Sequence, residues 1–337
     1  MLKIMNKVIK SCASYEIIKT LASGGMGAVA KAKLKGVEGF EKVVAIKTLL
    51  TKYANDEEFV KRFIFEAKLV ANLVHENIVQ IYQLNKIDNE YFFVLEFVDG
   101  ISLFDLVEFH KVIDRRLPRE LAVFIASRAA RALAYAHSRR DADGKPLNII
   151  HCDICPHNIL INNEGVPKLT DFGIARAATV KNSNTVSGKL AFMSPEQCVS
   201  PDKLTAASDI YSLGVVLFYM LSNRYTRDVY ADKAHILEQI RSNYVNYDAL
   251  PDDLPDALLA ILKRMLATDP AERYENSADL ARVLEYYIYK DGYGPTIVSL
   301  AEYMRQIMPG RFITGNENIT ETQVIPTEIL DHTAKRK

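Results

Sequence analysis

Neither sign of charge prevails in this sequence, where 42 lysine and arginine residues meet 42 aspartate and glutamate. A general binder of nucleic acid or of membrane surfaces needs a basic excess, so both classes are set aside. Cysteine is scarce: only Cys12, Cys152, Cys155 and Cys198 occur among 337 residues. That density is too low for a disulfide scaffold and points to a reducing compartment. Long apolar runs are missing as well. The longest strongly apolar one, residues 213–221, falls far short of the roughly 20 residues that a membrane span requires. Lys3, Lys7 and Lys10 interrupt the N-terminal stretch that a signal peptide would keep apolar. These absences lead to the expectation of a soluble, cytoplasmic protein with no nucleic-acid partner and no membrane span.

What is present is an ordinary globular composition, 49% hydrophobic and 25% charged. The length suits two lobes plus an appendage better than one small core. Residues 1–14 read as a short extension. From Tyr15, YEIIKTLA and AVAKAKL are strand-like and are joined by Ser23-Gly24-Gly25-Met26-Gly27. Glycines in such a turn let the backbone approach a phosphate and aim N–H groups at it. An ordinary glycine hairpin would read the same way. In KVVAIKTLL, residues 42–50, both alternating rows are apolar, and Lys47 shares one row with Val43, Ala45 and Leu49. An ammonium between two covered faces needs a partner. Residues 56–73 have helical periodicity, with Glu66 inside the apolar stripe of Phe59, Phe63, Val70 and Leu73. A carboxylate there is costly unless paired. The expectation is a Lys47–Glu66 pair tying strand to helix; the alternative leaves Glu66 at the stripe's edge, reaching water. NIVQIYQL and EYFFVLEFV complete a β-rich first part. Residues 102–111 and 119–138 then read as helices, and 141–146 as a turn cluster.

The stretch NIIHCDICPHNIL, residues 148–160, has short apolar runs bracketing a polar turn that carries Asp153 and Asn158. Eleven residues past Leu160, Lys168-Leu169-Thr170 delivers Asp171. Groups able to hold a metal or accept a proton thus sit at the edges of short strands, which serves a site better than a core. With this stretch in place, an ordered set of motifs is complete: ASGGMGAV, VAIK, the helix glutamate, HENIV, HCDICPHN, DFG, SPE, SDIYSLGVVLFYML and the arginine of DPAER. Over residues 15–290 the set resembles the eukaryotic-type (Hanks-type) protein kinase domain, and most of all bacterial Ser/Thr protein kinases.

The resemblance implies an α+β, bilobal fold. A small β-rich N-lobe, 15–98, would carry one key helix, and a larger helical C-lobe would span 99–290. Residues 291–337 would be a helix-like segment and a polar tail, expected to be solvated and disordered. ATP and Mg²⁺ are the implied cofactors, and the substrate is a protein bearing Ser or Thr. By similarity, Ala22, Gly24, Gly25 and Gly27 would lie over the ATP phosphates, and Lys47, held by Glu66, would bind two of them. Glu96 and Val98 would offer backbone groups to adenine, with Leu95 behind them and Val29 and Ala45 covering the ring. Asp153 would orient the attacking hydroxyl and accept its proton. Asn158 and Asp171 would hold Mg²⁺. His151 and Phe172 would pack together beneath the site, with Val70 and Ile81 completing a column, rather than His151 acting in acid–base chemistry. Asp209 would brace the catalytic-loop backbone, with a helix N-cap as a compatible reading. Glu196 and Arg273 would form a buried structural ion pair.

The chain departs from the family pattern at four places. Ala22 replaces the first loop glycine, with little loss expected. Cys152 replaces the arginine that usually pairs with a phosphorylated activation-loop residue. Without it the charge-neutralising reason for loop phosphorylation is gone, so activity is expected not to require it. Cys155 stands where a lysine usually touches the γ-phosphate, and Lys189 stands where a threonine is usual. In the family those two positions meet beside the catalytic aspartate, so Lys189 is read as supplying the missing ammonium. One such donor is worth roughly 3 kcal/mol, about a hundredfold in rate. An exposed activation-loop lysine is the plainer reading. The C-x-x-C spacing of Cys152 and Cys155 lacks a second ligand pair nearby for zinc; it is read as two small residues filling vacated space, with an oxidation-sensitive thiol as the alternative.

Two functions fit. One is an active Ser/Thr kinase, favoured by retention of Lys47, Glu66, Asp153, Asn158 and Asp171 as a set. The other is a pseudokinase, a nucleotide-binding or scaffolding module, favoured by the two missing cations. Pro156 follows the Ser/Thr form of the loop. In the tail, Thr320 and Thr322 are candidate autophosphorylation sites that would dock a phosphothreonine-binding domain.

Overall fold

Alternating apolar residues with few breakers build the first lobe as a five-stranded antiparallel sheet. Its strands are β1 (Ser14–Gly24), β2 (Gly27–Lys35), β3 (Glu41–Thr48), β4 (Ile81–Ile87) and β5 (Glu90–Glu96), in the order β1-β2-β3-β5-β4. The computed structural model describes residues 14–24, 27–48, 57–87, 90–172, 190–200 and 203–312, without the side chains at 57–59, 62, 63, 66 and 69. Both faces of β3 are covered, which accounts for its two apolar rows. Val44 and Ile46 join Ala32, Phe92 and Val94 in one cluster, capped by Tyr15 and Leu34. Ala45 faces the other way and belongs to the main core with Phe93 and Leu95. Helix α1 (Glu57–Ala71) closes that inner face through Ala67 and Val70.

The second lobe begins with a small antiparallel sheet, β6 (Gly100–Ser102), β7 (Ile159–Asn162) and β8 (Pro167–Leu169). Helices α2 (Leu103–Val112) and α3 (Arg119–His137) lie between β6 and β7 in sequence. Ser102 caps α2, its hydroxyl accepting from Asp105 N at 3.1 Å. After β8 come α4 (Pro195–Val199), α5 (Ala206–Ser222), α6 (Lys233–Arg241), α7 (Asp256–Met265) and α8 (Ser277–Tyr289). Every residue of α5 from Ser208 to Ser222 is buried, so its all-round hydrophobicity marks a central helix, not a membrane span. Among the described residues no helix is long and apolar enough to cross a membrane. Gly214 lets α5 and α7 approach closely: a Cβ there would lie 2.9 Å from that of Met265.

A further helix, α9 (Ile297–Ile307), follows and leads into a short turn at Pro309–Phe312. Its Leu300 and Met304 are fully buried in the main core. The hydroxyl of Tyr303 meets His110 Nε2 at 2.7 Å, and the other ring nitrogen donates to Leu106 O at 2.7 Å. Gly165, at φ +81°, sits so close beneath α9 that a Cβ would lie 2.0 Å from Ile297 O. Arg305 donates to Asn163 O, and Arg311 to Gly100 O. The helix-like segment foreseen after residue 291 is therefore packed into the second lobe. The tail beyond 312 lies outside the described residues.

Candidate active site

The register of the five-stranded sheet lines up the N-lobe part of the site. Ala22 pairs with Val29, Val29 with Lys47, and Lys47 with Phe93, so these four lie in one row across four strands. Gly24 pairs with Gly27 and closes a two-residue connection. Gly25 falls in that connection, outside the described residues. Ala45 is buried in the core, and Val29 packs against it.

Lys47 finds its partner in the other lobe: its ammonium lies 2.7 Å from Asp171 Oδ1. The side chain of Glu66, the partner foreseen from helical periodicity, is outside the described residues, so the partner on view is Asp171. The Asp171 backbone is left-handed, φ +62°. It is held there by what precedes it: Leu169 N donates to Asn77 O at 2.8 Å, Val79 N to Leu169 O at 2.8 Å, and Thr170 N to Asn158 O at 3.0 Å.

Asn158 forms the link between the two acidic residues. Its Nδ2 donates to both Asp153 O, at 2.8 Å, and Asp153 Oδ2, at 2.9 Å. A backbone carbonyl only accepts, so this bond fixes which end of the amide is nitrogen and leaves the Asn158 amide oxygen to act as a ligand. A carboxylate and an amide oxygen are hard donors of the kind Mg²⁺ takes, so the residues fit that ion.

Below the cleft, His151 and Phe172 pack with ring centroids 4.5 Å apart and ring planes tilted by 45°. His151 Nε2 donates to Thr170 O at 3.0 Å, and Nδ1 accepts from Asp153 N at 3.3 Å. Both ring nitrogens are thereby engaged with backbone, which leaves the ring a structural part. Val70, Ile81, Phe172, Leu95 and Asp171 line one small cavity beside this pair.

Asp209 organises the loop from beneath. Its carboxylate, 1% exposed, accepts from His151 N, Cys152 N and His137 Nε2, each at 2.8 Å. Burial by itself would raise the Asp209 pKa, but the bond from His137 and the backbone N–H of His151 hold it below the usual carboxylate range. His137 is anchored in turn, its Nδ1 lying 3.1 Å from Ser277 Oγ. The foreseen buried pair is present too: Arg273 reaches Glu196 with two bonds, 2.6 and 3.0 Å. Its remaining donors go to carbonyls of Ala207, Ala267 and Thr268. Cys155 is buried in the core, while Cys152 is half-buried.

At the junction of the lobes, Leu95 is buried and Glu96 N donates to Gln80 O at 2.8 Å. The Glu96 carboxylate pairs with Lys168 at 2.9 Å and accepts from Gln80 N at 3.2 Å. Val98 is partly buried against the core. Lys168, His137 and Gln197 were not foreseen. Lys168 had a readable signal, a lysine in a short apolar strand, the same argument that singled out Lys47. Lys189 lies outside the described residues.

The described geometry thus brings Lys47, Asp153, Asn158 and Asp171 to one cleft between a β lobe and a helical lobe. The family model of the protein kinase domain matches residues 15–284. The chain belongs to the protein kinase family. Among curated relatives, the tyrosine-protein kinase MasK of Myxococcus xanthus is 33% identical over 316 residues, which cover 93% of this chain and 48% of MasK. The serine/threonine-protein kinase PrkC of Bacillus subtilis is 35% identical over 269 residues, covering 79% of this chain and 39% of PrkC. The chain thus spans less than half the length of either relative. Among solved structures, the kinase domain of Mycobacterium tuberculosis PknI matches with a TM-score of 0.59 and 25% identity, over 80% of this chain and 95% of that chain. The bilobal kinase fold is therefore established.

Proposed function

We propose that the protein is an ATP- and Mg²⁺-dependent Ser/Thr protein kinase of the cytoplasm that works without phosphorylation of its activation loop. The observation carrying this reading is the bond of Asn158 Nδ2 to Asp153 Oδ2, 2.9 Å, beside the 2.7 Å pair of Lys47 and Asp171. A proton acceptor, two oxygen ligands and a cation converge in one cleft, and a scaffold has no need of them together.

When bound, ATP supplies the phosphoryl group, and Mg²⁺ neutralises charge on it. Asn158 and Asp171 are the residues that would hold the metal, and Lys47 would turn from Asp171 to the phosphates, held by Glu66. Gly24, Gly25 and Gly27, with Ala22, would cover them. Glu96 has spent its N–H on Gln80, so it would offer adenine its carbonyl, and Val98 its backbone; Leu95, Val29 and Ala45 would bound the ring. Asp153 orients the protein hydroxyl and takes its proton, and Asn158 holds Asp153 in place. Positioning and charge neutralisation then account for most of the rate. Lys189 is assigned the ammonium absent at Cys155, so Lys189→Met should lose about a hundredfold in turnover; near wild-type turnover would refute that role.

Asp153→Asn tests the reading. Transfer should be lost while nucleotide binding survives, and unchanged transfer would overturn it. Phosphoamino-acid analysis of a mixed substrate separates Ser/Thr from Tyr, a distinction that matters because MasK is named a tyrosine kinase. The pseudokinase alternative, favoured by the cations missing at 152 and 155, expects no transfer at all. Alanine at Thr179, Ser183, Thr185 and Ser187 together should leave most activity. Phosphosite mapping after incubation with ATP tests Thr320 and Thr322 as a docking point for a phosphothreonine-binding domain; a tail without phosphate ends that idea.

A further inference from the structure

Cys152 occupies a position where the backbone should not rest unaided. Its φ is +62°, the left-handed region that side-chain-bearing residues avoid. Such a conformation persists only where the surroundings over-determine it. On its N-terminal side, Cys152 N donates to Asp209 Oδ1 at 2.8 Å. On its C-terminal side, Cys152 O accepts from Gln197 Nε2, also at 2.8 Å. That carbonyl belongs to the peptide joining Cys152 to Asp153, so whatever orients it also orients the Asp153 N–H, which points to His151 Nδ1.

Gln197 is not free to turn. Its Oε1 accepts from Ser194 N at 2.9 Å and lies 3.2 Å from Ser194 Oγ and 3.5 Å from Ser212 Oγ. With the amide oxygen committed to these donors, the NH₂ faces Cys152. Part of this is helix capping, since Ser194 and Gln197 form a capping box at the start of α4. Capping does not require glutamine, however. A glutamate would cap as well and suit the helix dipole better. Only glutamine caps the helix and also donates to a carbonyl.

We propose that Gln197 is a positioning residue for phosphoryl transfer. It ties the end of the activation segment at α4 to the peptide that aims Asp153, so the loop is set by an internal amide bond where Cys152 offers no cation for a loop phosphate. This rests on the reading that the kinase works without loop phosphorylation, and supplies the contact that makes such independence physical.

Gln197→Glu is the discriminating variant, because it keeps the acceptor for Ser194 N and replaces the donor to Cys152 with a repelling oxygen. In the full chain, kcat should fall about tenfold or more, with the KM for ATP and the melting temperature close to wild type. Hydrogen exchange at residues 149–158 should quicken, while α5 stays protected. Gln197→Met, which loses cap and donor together, should add a loss of stability. Unchanged kcat and unchanged loop exchange in Gln197→Glu would overturn the proposal. So would parallel loosening of α5 and the loop, which would make the residue merely structural. Phosphatase-treated wild type is assayed alongside: if it is inactive, the loop-independence reading fails, while the exchange comparison still decides for or against Gln197.

Discussion

Asp209 shows how one side chain reaches the chemistry without touching it. Three donors converge on a carboxylate buried among apolar residues, and two of them are consecutive backbone N–H groups of the catalytic loop. Removing the acceptor leaves those donors buried and unpaired, each at about 1–3 kcal/mol. Asp209→Ala is therefore expected to lose roughly 3 kcal/mol or more in urea unfolding, and to slow turnover by releasing Cys152 from its left-handed backbone. Asp209→Asn, which keeps an acceptor but faces one N–H with a competing donor, should fall between the two. At the same scale, the partner of Lys47 was only half legible. Two apolar rows showed that the ammonium needed a partner. Helical periodicity could nominate Glu66, but not an aspartate just past a strand more than a hundred residues away. Pairings between distant segments leave no period in the sequence, which is why His137 and Gln197 gave no signal either.

Elements with strong periodicity were legible nearly to the residue: the pattern over 119–138 became α3, Arg119–His137, and the run through 213–221 became the core of α5. The strand foreseen in NIVQIYQL starts late, at Ile81, because residues 77–79 turn aside to bond Leu169 in the other lobe. Helix α9 was legible as a helix but not as a part of the C-lobe, since only its partners reveal where it docks. Its polar anchor is testable. Burial holds the His110 pKa below its ordinary value, against the opposing bond to Leu106 O. Below pH of about 6.5 the unfolded chain takes up a proton that folded His110 refuses, so stability present above that pH declines as pH falls. Thermal unfolding between pH 7.5 and 5.5 should show this slope, and His110→Gln should reduce it. Tyr303→Phe, which leaves His110 Nε2 without its donor, should cost about 1–3 kcal/mol; an unaltered melting temperature would show that α9 docks by its apolar face alone.

Across the whole molecule, buried and half-buried carboxylates join the layers: Asp209 links loop, α3 and α5, Glu196 links α4 to Arg273, and Glu285 on α8 meets Arg128 and Arg131 of α3. In each, burial pushes the pKa up and bonds from the arginine or histidine partners pull it below the ordinary value. Groups depressed in this way stabilise fully above the unfolded pKa, near 4, and lose that contribution as pH falls further. Acid unfolding should thus set in below pH of about 4, and Glu285→Gln, the most accessible of the three, should blunt it. The same architecture carries the central claim, that a cleft with a proton acceptor, two metal ligands and a lysine transfers phosphate without a phosphorylated loop. The most direct measurement incubates phosphatase-treated protein with labelled ATP, Mg²⁺ and a generic Ser/Thr substrate, beside Asp171→Asn. Label should pass to serine or threonine from the wild type and not from the variant. No transfer above Asp171→Asn would contradict the account and leave a nucleotide-binding scaffold in its place.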